Sequence, residues 1–217
     1  VIPVRNIYYM LSYAFQALNR QGFKKIATEE FNNTAELMAA ILAKGITFQL
    51  KRGLGKEYLS LTEERACIRG KIDMGESLKT NSLLRKRLTC TYDDFSVNTS
   101  MNRIIKSTVA LLLQGDISKS RKKELRKLMV FFADVTPINL YTVNWDLQYN
   151  RYNQTYQMLI SICYFVVKGL LHTNADGTTK VMDYFDEQRM SRLYEKFILE
   201  YYKKHYPELS ASASQIP

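Results

Sequence analysis

A chain of 217 residues with 46% hydrophobic content holds enough apolar material for one large domain or two small ones, and argues against long disorder. Lys and Arg number 31 against 21 Asp and Glu, a formal charge of +10, which favours an anionic partner: nucleic acid, an acidic protein surface or an anionic membrane. Three separated cysteines (Cys67, Cys90, Cys163) without a CxxC pair argue against a zinc site and a disulfide framework, and with no secretory signal they point to the reducing cytoplasm.

The apolar spacing Ile7, Met10/Leu11, Ala14/Phe15, Leu18 predicts a first helix, with Asn6 as a possible cap and Gly22 as its end. Phe31 to Leu50 predicts a second helix, capped by Asn32, Asn33 or Thr34 and carrying Leu37, Ile41 and Leu42 inward. Gly45, Ile46 and Thr47 leave its far end open. Gly53-Leu54-Gly55-Lys56 lacks the spacing of a phosphate loop and reads as a turn.

From Lys56 the period shortens. Tyr58, Leu59 and Leu61 are strand-like, Thr62-Glu63-Glu64 reads as a turn, and Ala66 to Ile72 alternates. Asp73 to Glu76 predicts a second turn, and Leu83 to Tyr92 another basic strand. Residues 56–93 are thus expected to form a small antiparallel β unit that could project from a helical body.

Tyr92 to Leu113 predicts a strand end leading into the helix that organises the chain. Asn98, Thr99 and Ser100 are cap candidates, and Met101, Ile104, Ile105, Thr108, Leu111 and Leu112 share one face. Asp93 and Asp94 suit either a divalent cation or the helix dipole with Arg103 beside them. After Gly115, a basic helix carries Lys119, Arg121, Lys122, Lys123, Arg126 and Lys127 opposite Leu125, Leu128, Met129 and Phe132. Its charge serves as a solvated face or as a row of phosphate contacts.

Thr136-Pro137 stops this element, Leu140 to Leu147 reads as extended, and Arg151 to Leu171 predicts an apolar helix too short in its uninterrupted apolar run to span a bilayer. A loop over His172 to Gly177 leads to a last helix over Asp186 to His205, terminated by Pro207. The small residues from Ser210 to Pro217 look like the start of a strand, and the whole reads as part of a longer protein. The expected class is α+β.

No HExxH, GxSxG or Cys/His arrangement is present, and no acid is followed two residues later by lysine, so the PD-(D/E)xK nuclease motif is missing from residues 1–217. An enzyme complete in itself is therefore disfavoured.

Ile2-Pro3-Val4-Arg5-Asn6-Ile7-Tyr8-Tyr9-Met10-Leu11, Arg69-Gly70-Lys71-Ile72-Asp73, Asp94-Phe95-Ser96 with Asn102-Arg103-Ile104-Ile105-Lys106, and Leu193-Tyr194-Glu195-Lys196-Phe197 occur in this order. In these stretches the chain resembles McrC, the nuclease subunit of McrBC-type modification-dependent restriction systems, including LlaJI-like relatives. The resemblance implies an N-terminal module over residues 1–181 that docks on a hexameric AAA+ GTPase of the McrB type and stimulates GTP hydrolysis, with a projecting part entering the ring's pore. It also implies that residues 182–217 open a PD-(D/E)xK nuclease domain, whose Mg²⁺-dependent cleavage of methylated DNA needs motifs beyond them. Glu195 is then a weak candidate for a catalytic acid, or an exposed residue paired with Arg192 or Lys196.

The expected partner contacts are Arg65, Arg69, Lys71, Arg85, Lys86 and Arg87. A free-standing nucleic-acid-binding module is the alternative. It would use the basic helix for phosphates and Tyr149, Tyr152 and Tyr156 for stacking.

Overall fold

The computed structural model describes residues 4–15, 23, 26, 29, 31, 33–150, 153–173 and 187–212. Among them are seven α-helices and one three-stranded antiparallel sheet, an α+β fold. The helical body consists of α1 (Val4–Ala14), α2 (Thr34–Arg52), α4 (Ser100–Gln114), α5 (Lys119–Met129), α6 (Gln154–Thr173) and α7 (Glu187–His205). Between α2 and α4 the chain builds β1 (Glu57–Arg65), β2 (Lys71–Ile72), the short helix α3 (Met74–Lys79) and β3 (Leu88–Ser96).

The centre of the body is α2, not α4 as the apolar spacing suggested. Leu37 to Ala43, Gly45 and Ile46 are all buried, so α2 is covered on every side and packs against α1, α4, α5 and α6. Its small residues permit that: a Cβ on Gly45 would come within 2.5 Å of Leu159 Cδ2 on α6. The β-branched Ile46 and Thr47 do not end the helix, because burial outweighs a propensity difference of a few tenths of a kcal/mol. Thr47 also turns its hydroxyl back to donate to the Ala43 carbonyl at 2.7 Å. The Asn33 side chain caps α2, Thr99 caps α4 and Ser118 caps α5, each accepting an amide N–H of the first turn.

Along 142–150 burial alternates, with Val143, Trp145, Leu147 and Tyr149 resting on the core, but the segment joins no sheet. Helix α7 lies against α1 through an aromatic cluster. Tyr13 meets Phe197 edge-on at 5.5 Å, and its hydroxyl pairs with His205 Nε2 at 2.7 Å. No helix among the described residues is long and apolar enough to cross a membrane.

The sheet differs from the expected hairpins. Residues Thr62 to Glu64 do not turn; β1 pairs with β3 without interruption from Glu57↔Ser96 to Arg65↔Leu88. The turn chemistry is overridden by cross-strand partners: Thr62 and Thr91 share a hydroxyl hydrogen bond of 2.9 Å, and both glutamates are held by arginines. Of the alternating stretch 66–72, only Lys71 and Ile72 pair with β3.

Asp73 starts a helix rather than a turn, its carboxylate accepting the Glu76 N–H at 2.9 Å. Ser82–Arg85 form a 3₁₀ turn, so the strand expected from Leu83 begins at Leu88. Asp93 and Asp94 consequently lie within β3 and do not face the α4 dipole. Arg103 instead donates to the Thr136 and Pro137 carbonyls.

Asn6 falls inside α1 and does not cap it, and His172 and Thr173 belong to α6 instead of a loop. The expected positions of Leu18, Gly22, Asn32, Asn174 to Gly177, the 181/182 boundary and residues 213–217 lie outside the described residues.

Candidate functional site

The β unit (residues 57–96) has an interior of its own. Cys90, Tyr92, Ser77, Ser82 and Thr89 are buried, yet none joins the apolar cluster of the helical body. Ser77 ties this interior together: its hydroxyl donates to the Asp73 carbonyl and accepts the Thr89 N–H at 2.8 Å. The outer surface is open, with Tyr58 74% and Leu84 85% exposed. The unit is an outgrowth of the body and is not folded into it.

A buried polar knot fixes the outgrowth at its base. Asn102, in the first turn of α4 and fully buried, donates from Nδ2 to the Gly55 carbonyl at 2.9 Å and the Val97 carbonyl at 2.7 Å. Its Oδ1 accepts the Tyr156 hydroxyl at 2.6 Å, and that hydroxyl accepts the Gly55 N–H at 2.8 Å. Gly55 enters β1 and Val97 leaves β3, so one amide side chain holds both strands to α4 and α6. Burial raises the Tyr156 pKa, and its bonds to Gly55 and Asn102 oppose the rise. Asn102 stood in the sequence only as part of a motif. A polar side chain next to a run of core residues was the signal available for its role.

Halfway along the unit, the 66–70 segment crosses β3 over the Tyr92 ring. The Arg69 guanidinium stacks on that ring at 4.0 Å and donates to Asp94 at 3.2 Å. Gly70 sits so close to β3, at φ +72°, that a Cβ would fall 2.7 Å from Tyr92 Cβ. The Tyr92 hydroxyl donates to Glu63 at 2.7 Å and accepts from Arg65 at 3.0 Å. That hydrogen bond from Tyr92, with Arg65 and Arg69 near, holds the Glu63 carboxyl below the usual range. Arg85 is held too, by Glu64 at 2.7 Å and the Thr80 carbonyl at 3.0 Å.

The six basic residues therefore divide. Arg65, Arg69 and Arg85 brace the unit. The side chains of Lys71, Lys86 and Arg87 are exposed and have no partner among the described residues. Leu88 pairs with Arg65 at the end of the sheet away from the knot, so Lys86 and Arg87 sit about 27 Å along β3 from its base. Lys86 holds a left-handed backbone, φ 54°, that turns the chain from the 3₁₀ turn into the strand.

The basic helix divides in the same way. Arg121 turns inward and meets three carboxylates: Glu124 at 2.7 Å, Glu29 at 3.0 Å and Glu36 at 3.6 Å. It joins α5 to α2 and is no free phosphate contact. Replacing Arg121 with Leu is expected to cost on the order of 1–2 kcal/mol, because the glutamates are partly solvated. A urea unfolding series measures this; an unchanged midpoint would remove Arg121 from the frame. Lys119, Lys123, Arg126 and Lys127 remain exposed and Lys122 half-buried, none of them paired among the described residues.

Tyr156 is buried in the knot and Tyr149 rests on the core, so neither matches the stacking role weighed for them; Tyr152 lies outside the described residues. Glu195 is exposed on α7, and its neighbour Lys196 lies over the Phe15 ring at 4.9 Å. Burial lowers the Lys196 pKa, with Glu200 opposing. A cleft of about 290 Å³ opens between Phe15, Trp145, Tyr164 and Lys196. Among the described residues no group of three or more His, Cys, Asp or Glu side chains is arranged to hold a metal ion; the three glutamates that converge on α5 are taken up by Arg121.

Residues 4–215 match the family model described as "McrBC 5-methylcytosine restriction system component". Among curated proteins, the chain is similar to the type IV methyl-directed restriction enzyme EcoKMcrBC of Escherichia coli K12. The two are 29% identical over 219 residues, which cover all of this chain and 63% of that protein. Among solved structures, a chain of the Thermococcus gammatolerans McrBC complex superposes with a TM-score of 0.60 at 20% identity, over 92% of this chain and 57% of that one. A half-complex from a tetradecameric assembly of T. gammatolerans McrB AAA+ hexamers with bound McrC gives 0.61 at 19% identity, over 94% and 47%. At that identity the likeness is one of fold. The chain spans between about half and two thirds of the length of these relatives.

Proposed function

The chain belongs to the family of McrBC 5-methylcytosine restriction system components, and from that premise we propose that it is the ring-docking part of an McrC-like endonuclease subunit. In this reading it binds an McrB-type AAA+ GTPase hexamer, stimulates GTP hydrolysis and couples it to cleavage of methylated DNA in the cytoplasm. The observation that carries the reading is the β unit. It is a braced outgrowth with its own interior, fastened at one end by a buried knot and presenting unpaired cations at the other.

An AAA+ ring offers its partner a central pore. A stiff projection with Lys86 and Arg87 at its end can pair there with acidic groups, without binding nucleotide itself. It can thereby bias the ring toward the geometry in which water attacks the γ-phosphate. Bracing matters because a charge held in place loses less entropy on pairing than one on a mobile loop. DNA cleavage and its Mg²⁺ are assigned to the additional length of the relatives, and α7 to the opening of that nuclease domain at about residue 182.

The test is steady-state GTP turnover by the cognate GTPase with this chain added. The wild type is expected to raise turnover, and Lys86→Glu/Arg87→Glu to abolish most of that stimulation at equal concentration. No stimulation by the wild type would count against the proposal. Stimulation that survives the double reversal would move the contact elsewhere.

A further inference from the structure

We propose that the outward face of α5 is a second interaction surface, one that lies along the sugar-phosphate backbone of duplex DNA. The inference rests on the reading that the chain works within a DNA-cleaving subunit, but it concerns a face well removed in sequence from the β unit. Two neighbouring rows run down this helix at i, i+4 spacing: Lys119, Lys123 and Lys127 in one, Lys122 and Arg126 in the other. None of the five has a partner among the described residues. The only acid on the helix, Glu124, is held at 2.7 Å by Arg121, which also draws in Glu29 and Glu36. Three of the nearby carboxylates are thus drawn to Arg121, and the outer side carries Lys119, Lys123, Arg126 and Lys127, with Lys122 at its edge, five positive charges over about 12 Å, while Asp116 and Asp134 flank the helix at its two ends.

The chemistry of this face selects among polyanions. A membrane-surface helix needs an apolar stripe to insert, but here Leu125 and Phe132 are buried in the core, and the exposed apolar residues are only Val130 and Phe131 just past the helix end. A protein interface would be depleted in lysine at its centre, whereas four of these five residues are lysines. Lysine and arginine side chains without fixed geometry suit the sequence-independent neutralisation of phosphates. The surface would therefore hold the chain on the duplex without reading bases.

The experiment measures binding of the whole chain to a fluorescent unmethylated duplex by anisotropy between about 50 and 200 mM salt. The wild type is expected to bind with a steep dependence of log K on log salt. Lys123→Gln/Lys127→Gln, checked for an unchanged thermal midpoint, should reduce the magnitude of that slope by about 2 and weaken binding about tenfold or more at 100 mM. Lys86→Gln/Arg87→Gln should leave the slope unchanged while losing stimulation of GTP turnover. An α5 variant with the wild-type slope overturns the proposal, as does a wild type that fails to bind at low salt. Loss of binding to phosphatidylserine vesicles in the α5 variant, without any DNA binding, also overturns it. If GTPase stimulation fails while the α5 slope change is seen, the ring-docking reading falls and this one stands.

Discussion

Asn102→Ala is expected to destabilise the protein by about 4 kcal/mol, lowering its thermal midpoint by roughly 10 °C. The substitution leaves the Gly55 and Val97 carbonyls without the amide that serves them, and the Tyr156 hydroxyl without its acceptor. Each orphan shielded from water costs about 1–3 kcal/mol; the Tyr156 hydroxyl is buried and the two carbonyls are half-buried, so the three together come to about 4 kcal/mol. Tyr156→Phe removes fewer bonds, its donation to Asn102 and its acceptance of the Gly55 N–H, and should cost about 2 kcal/mol. The double variant should cost less than the sum, because both residues act in one network. Differential scanning calorimetry of the three variants checks this. Additive losses of under about 1 kcal/mol each would mean that the strands are held by packing alone.

Gly70→Ala should damage the β unit and spare the body. The new Cβ would meet the Thr91 backbone oxygen and Tyr92 Cβ, both part of β3 and paired across to β1. The left-handed φ of +72° adds about 1–2 kcal/mol for any residue with a Cβ, so the local cost is on the order of 3–4 kcal/mol. The cheapest relief is for the 66–70 crossing to lift from the Tyr92 ring, which frees Arg69 and unpairs Lys71 and Ile72 from β3. Limited trypsin digestion should then cut after Arg69 and Lys71 many times faster, with the helical body intact. Gly75→Ala is the control, since the nearest atom to its Cβ would be the Asp73 carboxylate at an ordinary 3.5 Å. Equal digestion of wild type and Gly70→Ala would show that the crossing is already open in solution.

What could be read from the chain, and what could not, follows from the range of the forces involved. The caps at Asn33 and Thr99 depend on residues three positions apart, and both occur where the sequence offered them. The basic β unit was likewise visible in the shortened period after Lys56. Its strand path was not. Glu63 and Glu64 carry local turn chemistry, and only Arg65, Tyr92 and Arg85, up to 29 positions away, make them strand residues. Charge was the least legible property. The sequence shows Arg121 in a basic run, while the carboxylates that claim it lie as far as 92 positions upstream. The same holds for the six basic residues of the β unit, three of which brace it. The dominance of α2 over α4 was hidden because alanine and glycine mark close helix packing only once the neighbouring helix is known.

Hydrogen exchange of the chain bound to its AAA+ ring tests the docking claim most directly, because it reports where contact falls. The account predicts new protection concentrated on residues 57–96, strongest around Lys86 to Leu88, with the outward face of α5 unchanged in the absence of DNA. Protection centred on α1, α5 or α7 with the β unit exchanging as in the free chain would contradict it.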